Sequence, residues 1–259
     1  MYYQIEITTR CNLSCFYCAG RAMTQKHMSL QTFRSIMDRA PDNLEFVSLQ
    51  GEGEPVLNKA VWKMAGIVKQ RSISTYTITN AAYRLSHPLC EMIDAHFNRI
   101  GVSLDTINKQ FADRVGRYNL PLTLATLEQL IERLGPERID IYTVALSRKS
   151  VDEVSRFVKR FEGVNHIIQP IQSKDDYQIN YRVNVRPSDH TYQCRYLDND
   201  IMRFFNIEGI EMPCCYIKDR TRYTSLAHTR SLLADKTIPD CCSGCRELDV
   251  RNEATVTPG

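Results

Sequence analysis

A chain of 259 residues with 43% hydrophobic content is long enough for one large domain, or one domain with a small appendage, around a sizeable core. Its 33 basic and 30 acidic residues leave a formal charge of +3, too balanced to mark nucleic acid or an anionic membrane as a partner. No apolar run approaches the ~18 residues of a membrane span and no charged-then-apolar leader precedes the first strand, so the ten cysteines are expected to serve metal in a cytoplasmic protein.

The first strand-like run, Tyr2 to Thr8, feeds the loop Thr9-Arg10-Cys11-Asn12-Leu13-Ser14-Cys15-Phe16-Tyr17-Cys18. Three thiols spaced Cys-x3-Cys-x2-Cys are soft ligands for zinc or an iron–sulfur cluster. A structural zinc site wants a fourth ligand close by. The next cysteine, Cys90, sits with Leu89, Met92 and Ile93 in a helix-like run and reads as a small core residue. Three thiolates would leave one iron of a four-iron cluster open to a small molecule.

Cys-x3-Cys-x-aromatic-Cys, with Tyr17 at the aromatic position, resembles the signature of the radical S-adenosylmethionine (radical SAM) enzymes. The resemblance implies a 4Fe-4S cluster on Cys11, Cys15 and Cys18. It also implies S-adenosyl-L-methionine on the open iron, reductive formation of a 5′-deoxyadenosyl radical, and an external one-electron reductant such as flavodoxin or ferredoxin.

Short β-rich runs at about 2–8, 44–49, 74–79, 98–105, 138–146 and 165–171 alternate with amphipathic helices, the pattern of a parallel sheet built from βα units. Ser29, Asn58 and Ser150 are placed to cap three of the helices. The second strand runs into Gly51-Glu52-Gly53-Glu54-Pro55, where closely spaced glycines let backbone approach a ligand at a strand end. This turn is similar to the family's Gly-Gly-Glu-Pro, which binds the methionine amino group; Gly53, Glu54 and Pro55 match, and Glu52 replaces the first glycine. Thr79-Asn80-Ala81 is similar to the family's Thr-Asn-Gly turn. Val102-Ser103-Leu104-Asp105 is similar to its Ser-x-Asp strand, which makes Ser103 and Asp105 candidate cofactor contacts. Arg148, after the fifth strand, could pair with a carboxylate. Ile167-Ile168-Gln169-Pro170-Ile171 resembles the family's adenine-side strand, and its proline favours an edge or a strand end.

The βα rhythm stops after Gln172, and the domain boundary is placed near 185: a core of 1–185 and a cysteine-rich region of 186–259. Six of the ten cysteines lie between Cys194 and Cys245. Ile201 to Ile207 and Ile210 to Tyr216 read as a hairpin turning at Glu208-Gly209, which would carry Cys214 back towards Cys194. With Cys242 and Cys245, four thiolates could close on zinc or an iron–sulfur centre. The spacing looks like the Twitch region, the shortened SPASM extension, which implies an auxiliary 4Fe-4S cluster on Cys194, Cys214, Cys242 and Cys245. Cys215 and Cys241 are left over, as alternative ligands, buried neighbours or a hydrogen-atom-donating thiol, and a short polar tail is expected from Asp249.

The implied fold is α/β, a partial (β/α)6 TIM-type barrel with a C-terminal Twitch extension. In size and layout the chain is similar to the group containing 2-deoxy-scyllo-inosamine dehydrogenase. The expected activity is an oxidoreductase that abstracts a substrate hydrogen and passes an electron to the auxiliary cluster. A maturase that crosslinks or epimerises a ribosomal peptide is the alternative within enzymes. An iron–sulfur or zinc-binding protein without catalysis is the alternative of another class. The substrate is a small molecule or a peptide.

Overall fold

The computed structural model describes residues 1–171, 190–198, 202–217, 220–242, 245 and 248–252. Six parallel strands lie side by side in sequence order: β1 (Tyr2–Ile5), β2 (Phe46–Leu49), β3 (Ser74–Thr79), β4 (Arg99–Ser103), β5 (Ile139–Val144) and β6 (Asn165–Gln169). The connections carry α1 (Leu30–Asp38), α2 (Val61–Gln70), α3 (His87–His96), α4 (Lys109–Arg114), α5 (Leu120–Leu134) and α6 (Arg148–Val158). This is the parallel sheet of βα units expected from the alternating pattern, in the partial-barrel form that the resemblance implied. β6 is an outer strand and stops at Gln169, one residue before Pro170, whose missing N–H cannot continue a ladder.

Side-chain alternation decides what each strand offers to either face. On β1, Tyr3 and Ile5 are buried in the main core with Phe33, Val47, Leu49 and Met64, while Tyr2 and Gln4 line an inner cavity. On β5, Ile139 and Ile141 enter the core and Tyr142 and Val144 face the cavity. Each fully buried Ile, Leu or Phe contributes about 1.5–3 kcal/mol by leaving water. The core thus holds the sheet rigid under a polar inner surface.

The local capping signals hold at some of the helix starts and not at others. Ser29 caps α1, its hydroxyl accepting from Thr32 N at 3.0 Å. Asn58 does not cap α2, whose N-cap is Ala60. Its carboxamide instead accepts from Ala60 N and donates to Ile7 O at 2.8 Å and Met28 O at 3.3 Å, pinning the start of α2 to the segments just after β1 and just before α1. Ser150 lies inside α6; the extended residue before the helix is Ser147, whose hydroxyl accepts from Ser150 N. Cys90 is half-buried on α3 beside a surface cleft with His87, Glu91 and Asp94, not in the core, because the helix turns Ile93 inward instead.

The C-terminal region comprises β7 (His190–Cys194), α7 (Arg195–Asp198), β8 (Met202–Phe205), β9 (Glu211–Met212), α8 (Leu226–Ala234) and β10 (Leu248–Asn252). The expected hairpin forms from β8 and β9, with Asn206 Oδ1 accepting from Glu208 N and Ile210 N in its turn. The pattern did not foretell its destination. β8 pairs parallel with β1, Tyr2 opposite Met202 and Ile5 opposite Phe205, so the barrel sheet continues as β6-β5-β4-β3-β2-β1-β8-β9. β10 pairs antiparallel with β7, so Asp249 to Asn252 form a strand where a polar tail was expected. A boundary near 185 lies outside the described residues. Among the described residues no helix is long and apolar enough to cross a membrane.

Candidate functional site

The loop after β1 is fastened on two flanks before any ligand is considered. Gly53 N donates to Thr8 O at 3.1 Å and Glu54 N to Arg10 O at 2.8 Å, tying the Gly-Glu-Pro turn to the thiol loop. A Cβ at Gly53 would stand 2.5 Å from Arg10 O and 2.6 Å from Thr8 O, so only glycine permits this approach. On the other flank, Ser14 N donates to Gly116 O and Phe16 N to Val115 O. Gly116 adopts φ +84°, and a Cβ there would meet Ser14 O at 2.2 Å.

These fastenings bring Cys11, Cys15 and Cys18 to one wall of a cavity of about 390 Å³ at the C-terminal ends of the barrel strands, where barrels of this type place their sites. Tyr17, Gly53, Glu54, Ser103 and Asp105 line the same cavity. Cys11 Sγ accepts from Leu13 N at 3.4 Å and Asn80 Nδ2 at 3.5 Å, and Cys15 Sγ from Arg117 Nη1 at 3.8 Å. Such N–H donors suit thiolate ligands. Burial pushes the Cys11 thiol up, and burial together with the Glu52 carboxylate pushes the Cys18 thiol up; Cys18 Sγ donates to Glu52 Oε2 at 3.2 Å. Coordination would replace those protons, since a metal-bound thiol is held deprotonated. Among the described residues, no three His, Cys, Asp or Glu side chains converge on a single ion. A four-iron cluster accommodates wider spacing because each thiolate takes its own iron. The donor set therefore fits such a cluster.

Glu54 is wholly buried. Burial raises its carboxyl to about 7, although Asn80 N and the Thr79 hydroxyl, both at 2.7 Å, pull the other way. The raised value sets the sign of a stability effect. The ligand-free fold carries no charge cost here below the unfolded value of 4.5 and acquires it as pH rises through about 7. Urea midpoints of the ligand-free protein should therefore fall between about pH 5 and about pH 8 relative to those of Glu54→Gln. Parallel pH profiles for the two proteins would contradict the assignment.

Asp105, 1% exposed, is committed to the protein. It accepts from Tyr17 Oη and from Val144 N, and pairs with Arg117 Nε at 3.3 Å. Arg117 is buried and also donates to Ser103 O. Burial opposes its charge, but Asp105, Tyr17 and Cys15 hold its pKa above the ordinary guanidinium value. Removing either member of such a pair strands a buried charge. The cluster Tyr17–Asp105–Arg117–Cys15 thus joins β4, β5 and the thiol loop.

Arg117 escaped sequence reading. It follows a glycine in a loop, 102 residues from Cys15, and nothing local marks its partner. Gln4, Gln50, Tyr142 and Tyr216 were missed on the cavity wall for the same reason. The only available signal was strand parity, which assigns Gln4 and Tyr142 to the inner face. Among the described residues, buried Gln50 Oε1 has no hydrogen-bond partner, which suits a wall completed by a ligand. Arg148, expected near the cofactor, is the first residue of α6, exposed and outside the cavity lining, because the chain turns away from the rim after β5.

A second group of thiols adjoins the first site. Cys194, Cys214, Cys241, Cys242 and Cys245 are buried in one small core with Leu197, Phe204, Met212 and Leu248. Cys241 Sγ and Cys242 Sγ are 3.9 Å apart, and Cys245 N donates to Cys242 O, closing the Cys-x2-Cys turn. Five buried thiols gathered in one apolar core have the donor chemistry of a thiolate-ligated centre. Cys215 is half-buried and lines the cavity together with Tyr196 and Tyr216, whose rings pack edge to face at 5.7 Å. Cys241 does not line it.

The family model described as "Radical SAM superfamily" matches residues 5–161. A probable GTP 3′,8-cyclase of Methanocaldococcus jannaschii is 25% identical over 190 residues, which are 71% of this chain and 63%, under two thirds, of that protein. One from Methanococcus maripaludis is 22% identical over 253 residues, 92% of this chain and 84% of that one. In fold, the chain is similar to Streptococcus suis SuiB bound to S-adenosylmethionine, with TM-score 0.66 at 14% identity, covering 90% of this chain and 64% of SuiB. It is similar also to BtrN in complex with AdoMet and 2-DOIA, with TM-score 0.58 at 13% identity, covering 95% and 92%.

Proposed function

The chain belongs to the radical SAM superfamily, and on that premise we propose that it is an oxidoreductase acting on a small polar molecule, with a second iron–sulfur cluster as electron acceptor. When bound, a four-iron cluster on Cys11, Cys15 and Cys18 with S-adenosylmethionine supplies a radical able to take a hydrogen atom from an unactivated C–H bond. The rest falls to the protein. Glu54, fixed by Thr79 and Asn80, offers a carboxylate to an amino group; Leu13, Ile78 and Val144 give the cavity its apolar stretches of wall. Asp105 and Arg117 hold the Ser103 rim and the Cys15 corner in register.

The observation that carries the oxidative reading is the adjacency of Cys214 and Cys215. Cys215 lines the reaction cavity while Cys214 lies in the second thiol core, so a cluster on Cys194, Cys214, Cys242 and Cys245 would border the substrate. A substrate that has lost a hydrogen atom would then give up one electron to that cluster and one proton, a net two-electron oxidation.

The names of the sequence relatives favour a second reading, cyclisation of a nucleoside triphosphate. The described wall weighs against it. Glu52, Glu54 and Asp105 stand there against the single guanidinium of Arg117, itself engaged by Asp105. Gln4, Gln50, Gln169, Tyr142, Tyr196 and Tyr216 offer amide and phenol groups suited to a hydroxylated or amine-bearing ligand. Anaerobic assays with S-adenosylmethionine, a strong reductant and a panel including GTP and amino or hydroxylated ring compounds test this. The expected result is a product short of two hydrogens, formed together with 5′-deoxyadenosine. Cyclised GTP without net oxidation would overturn it.

A further inference from the structure

The three thiols of the barrel loop stand in unequal surroundings. Cys11 Sγ accepts from Leu13 N and Asn80 Nδ2, and Cys15 Sγ accepts from the buried Arg117 guanidinium, so two corners of the site meet donors that favour negative charge on sulfur. Cys18 meets the reverse. Its Sγ lies 3.2 Å from Glu52 Oε2 and 3.7 Å from Glu52 O, two acceptors that disfavour negative charge on the same sulfur. Glu52 is also the residue at which this chain departs from the family's Gly-Gly-Glu-Pro turn.

Two contacts fix Glu52 at that corner. A Cβ at Gly20, two residues after Cys18, would stand 2.7 Å from both Glu52 Cβ and Glu52 O, so the root of this side chain is packed against the exit of the thiol loop. Behind the turn, Glu52 N donates to Oε1 of the fully buried Glu6 at 3.0 Å. The carboxylate therefore stays beside Cys18 when iron takes the place of the thiol proton. Arg117, the single cation among the described residues lining the cavity, is given to Asp105 and to the Cys15 corner. A fixed negative charge beside a cluster ligand opposes the entry of a further electron, because cluster potentials follow net charge and the groups around the sulfurs. Resting on the cluster that the proposed function puts on Cys11, Cys15 and Cys18, we infer that the Glu52 carboxylate lowers the reduction potential of this cluster and makes it a stronger one-electron reductant. Glu52 is thus a positioning residue that acts through Cys18: it places a charge there and makes or breaks no bond.

The test is an anaerobic redox titration of the full chain with iron and sulfide restored, followed by electron paramagnetic resonance. The signal that changes on adding S-adenosylmethionine belongs to the barrel cluster. In Glu52→Gln that signal should appear at higher potential, the ratio of reduced to oxidised cluster at a fixed potential rising about tenfold, or about 59 mV for a one-electron couple. Glu52→Gly, which restores the residue of the family's turn, should move it in the same direction, while Glu52→Asp keeps the charge and should stay near the wild type. Glu45→Gln removes one charge from an exposed site and should leave the signal in place. A midpoint that is unchanged or lower in both Glu52→Gln and Glu52→Gly would overturn the inference. So would an equal rise in Glu52→Asp, which would make side-chain shape the cause, or an equal rise in Glu45→Gln, which would make it net charge alone. A wild-type chain that binds no iron, or shows no signal responsive to S-adenosylmethionine, would instead contradict the function on which the inference rests.

Discussion

Changing Cys11, Cys15 and Cys18 together to Ala is expected to abolish 5′-deoxyadenosine formation while one four-iron cluster per chain remains. The three thiols line the cavity beside Glu54 and Asn80, and five other thiols form a separate buried core. The loop that carries the three is also held by backbone bonds from Thr8, Arg10, Ser14 and Phe16, none of which uses a thiol. The substituted loop therefore keeps its main fastenings, and the loss should be one of chemistry and not of fold. Iron and sulfide counts after anaerobic reconstitution check this beside the nucleoside assay. A triple variant that holds no iron would overturn the two-site reading.

Replacing Cys242 and Cys245 by Ala is expected to separate cofactor cleavage from product formation. S-adenosylmethionine should still be cleaved under strong reductant, since the proposed function puts the cleaving site on the barrel loop. Oxidised product should fail to accumulate once its electron has no acceptor. Both cysteines are buried in the core that also holds Phe204 and Met202 of β8, and β8 is paired to β1. Loss of metal there could loosen the barrel edge, because metal binding and folding are linked. Circular dichroism and S-adenosylmethionine affinity therefore precede the assay. The ratio of product to 5′-deoxyadenosine is the readout, and a variant without its second cluster that keeps the wild-type ratio would reduce the C-terminal region to a wall of the cavity.

The parts of this molecule legible in the sequence are those governed by local rules. Six strands follow from alternating periodicity, and their observed limits lie inside the expected ones, with β1 ending at Ile5 and Thr8 bridging His27 beyond it. Cys11 to Cys18 and Gly53 to Pro55 were found because both motifs are short and continuous. What stayed hidden depends on pairing across distance. Nothing near Met202 announces that β8 adds to β1, and nothing near Arg117 announces Asp105 or Cys15. Arg148 shows the converse: its place after β5 is as read, but at the start of α6 it is exposed and outside the cavity lining.

Ala81 marks a smaller departure. It adopts φ +53° where the family's turn carries glycine, and it is fully buried. A left-handed alanine costs roughly 1–2 kcal/mol. The bonds that hold the turn, Thr79 to Glu54 and Asn80 to both Glu54 and Asn12, offset that strain.

The most direct test of the account is Mössbauer spectroscopy of the anaerobically reconstituted wild-type chain, before and after adding S-adenosylmethionine. Two separate sites predict about eight iron atoms per chain in two four-iron clusters, with one iron of one cluster changing its signal when the cofactor binds. A single cluster, or two clusters of which neither responds to S-adenosylmethionine, would contradict it.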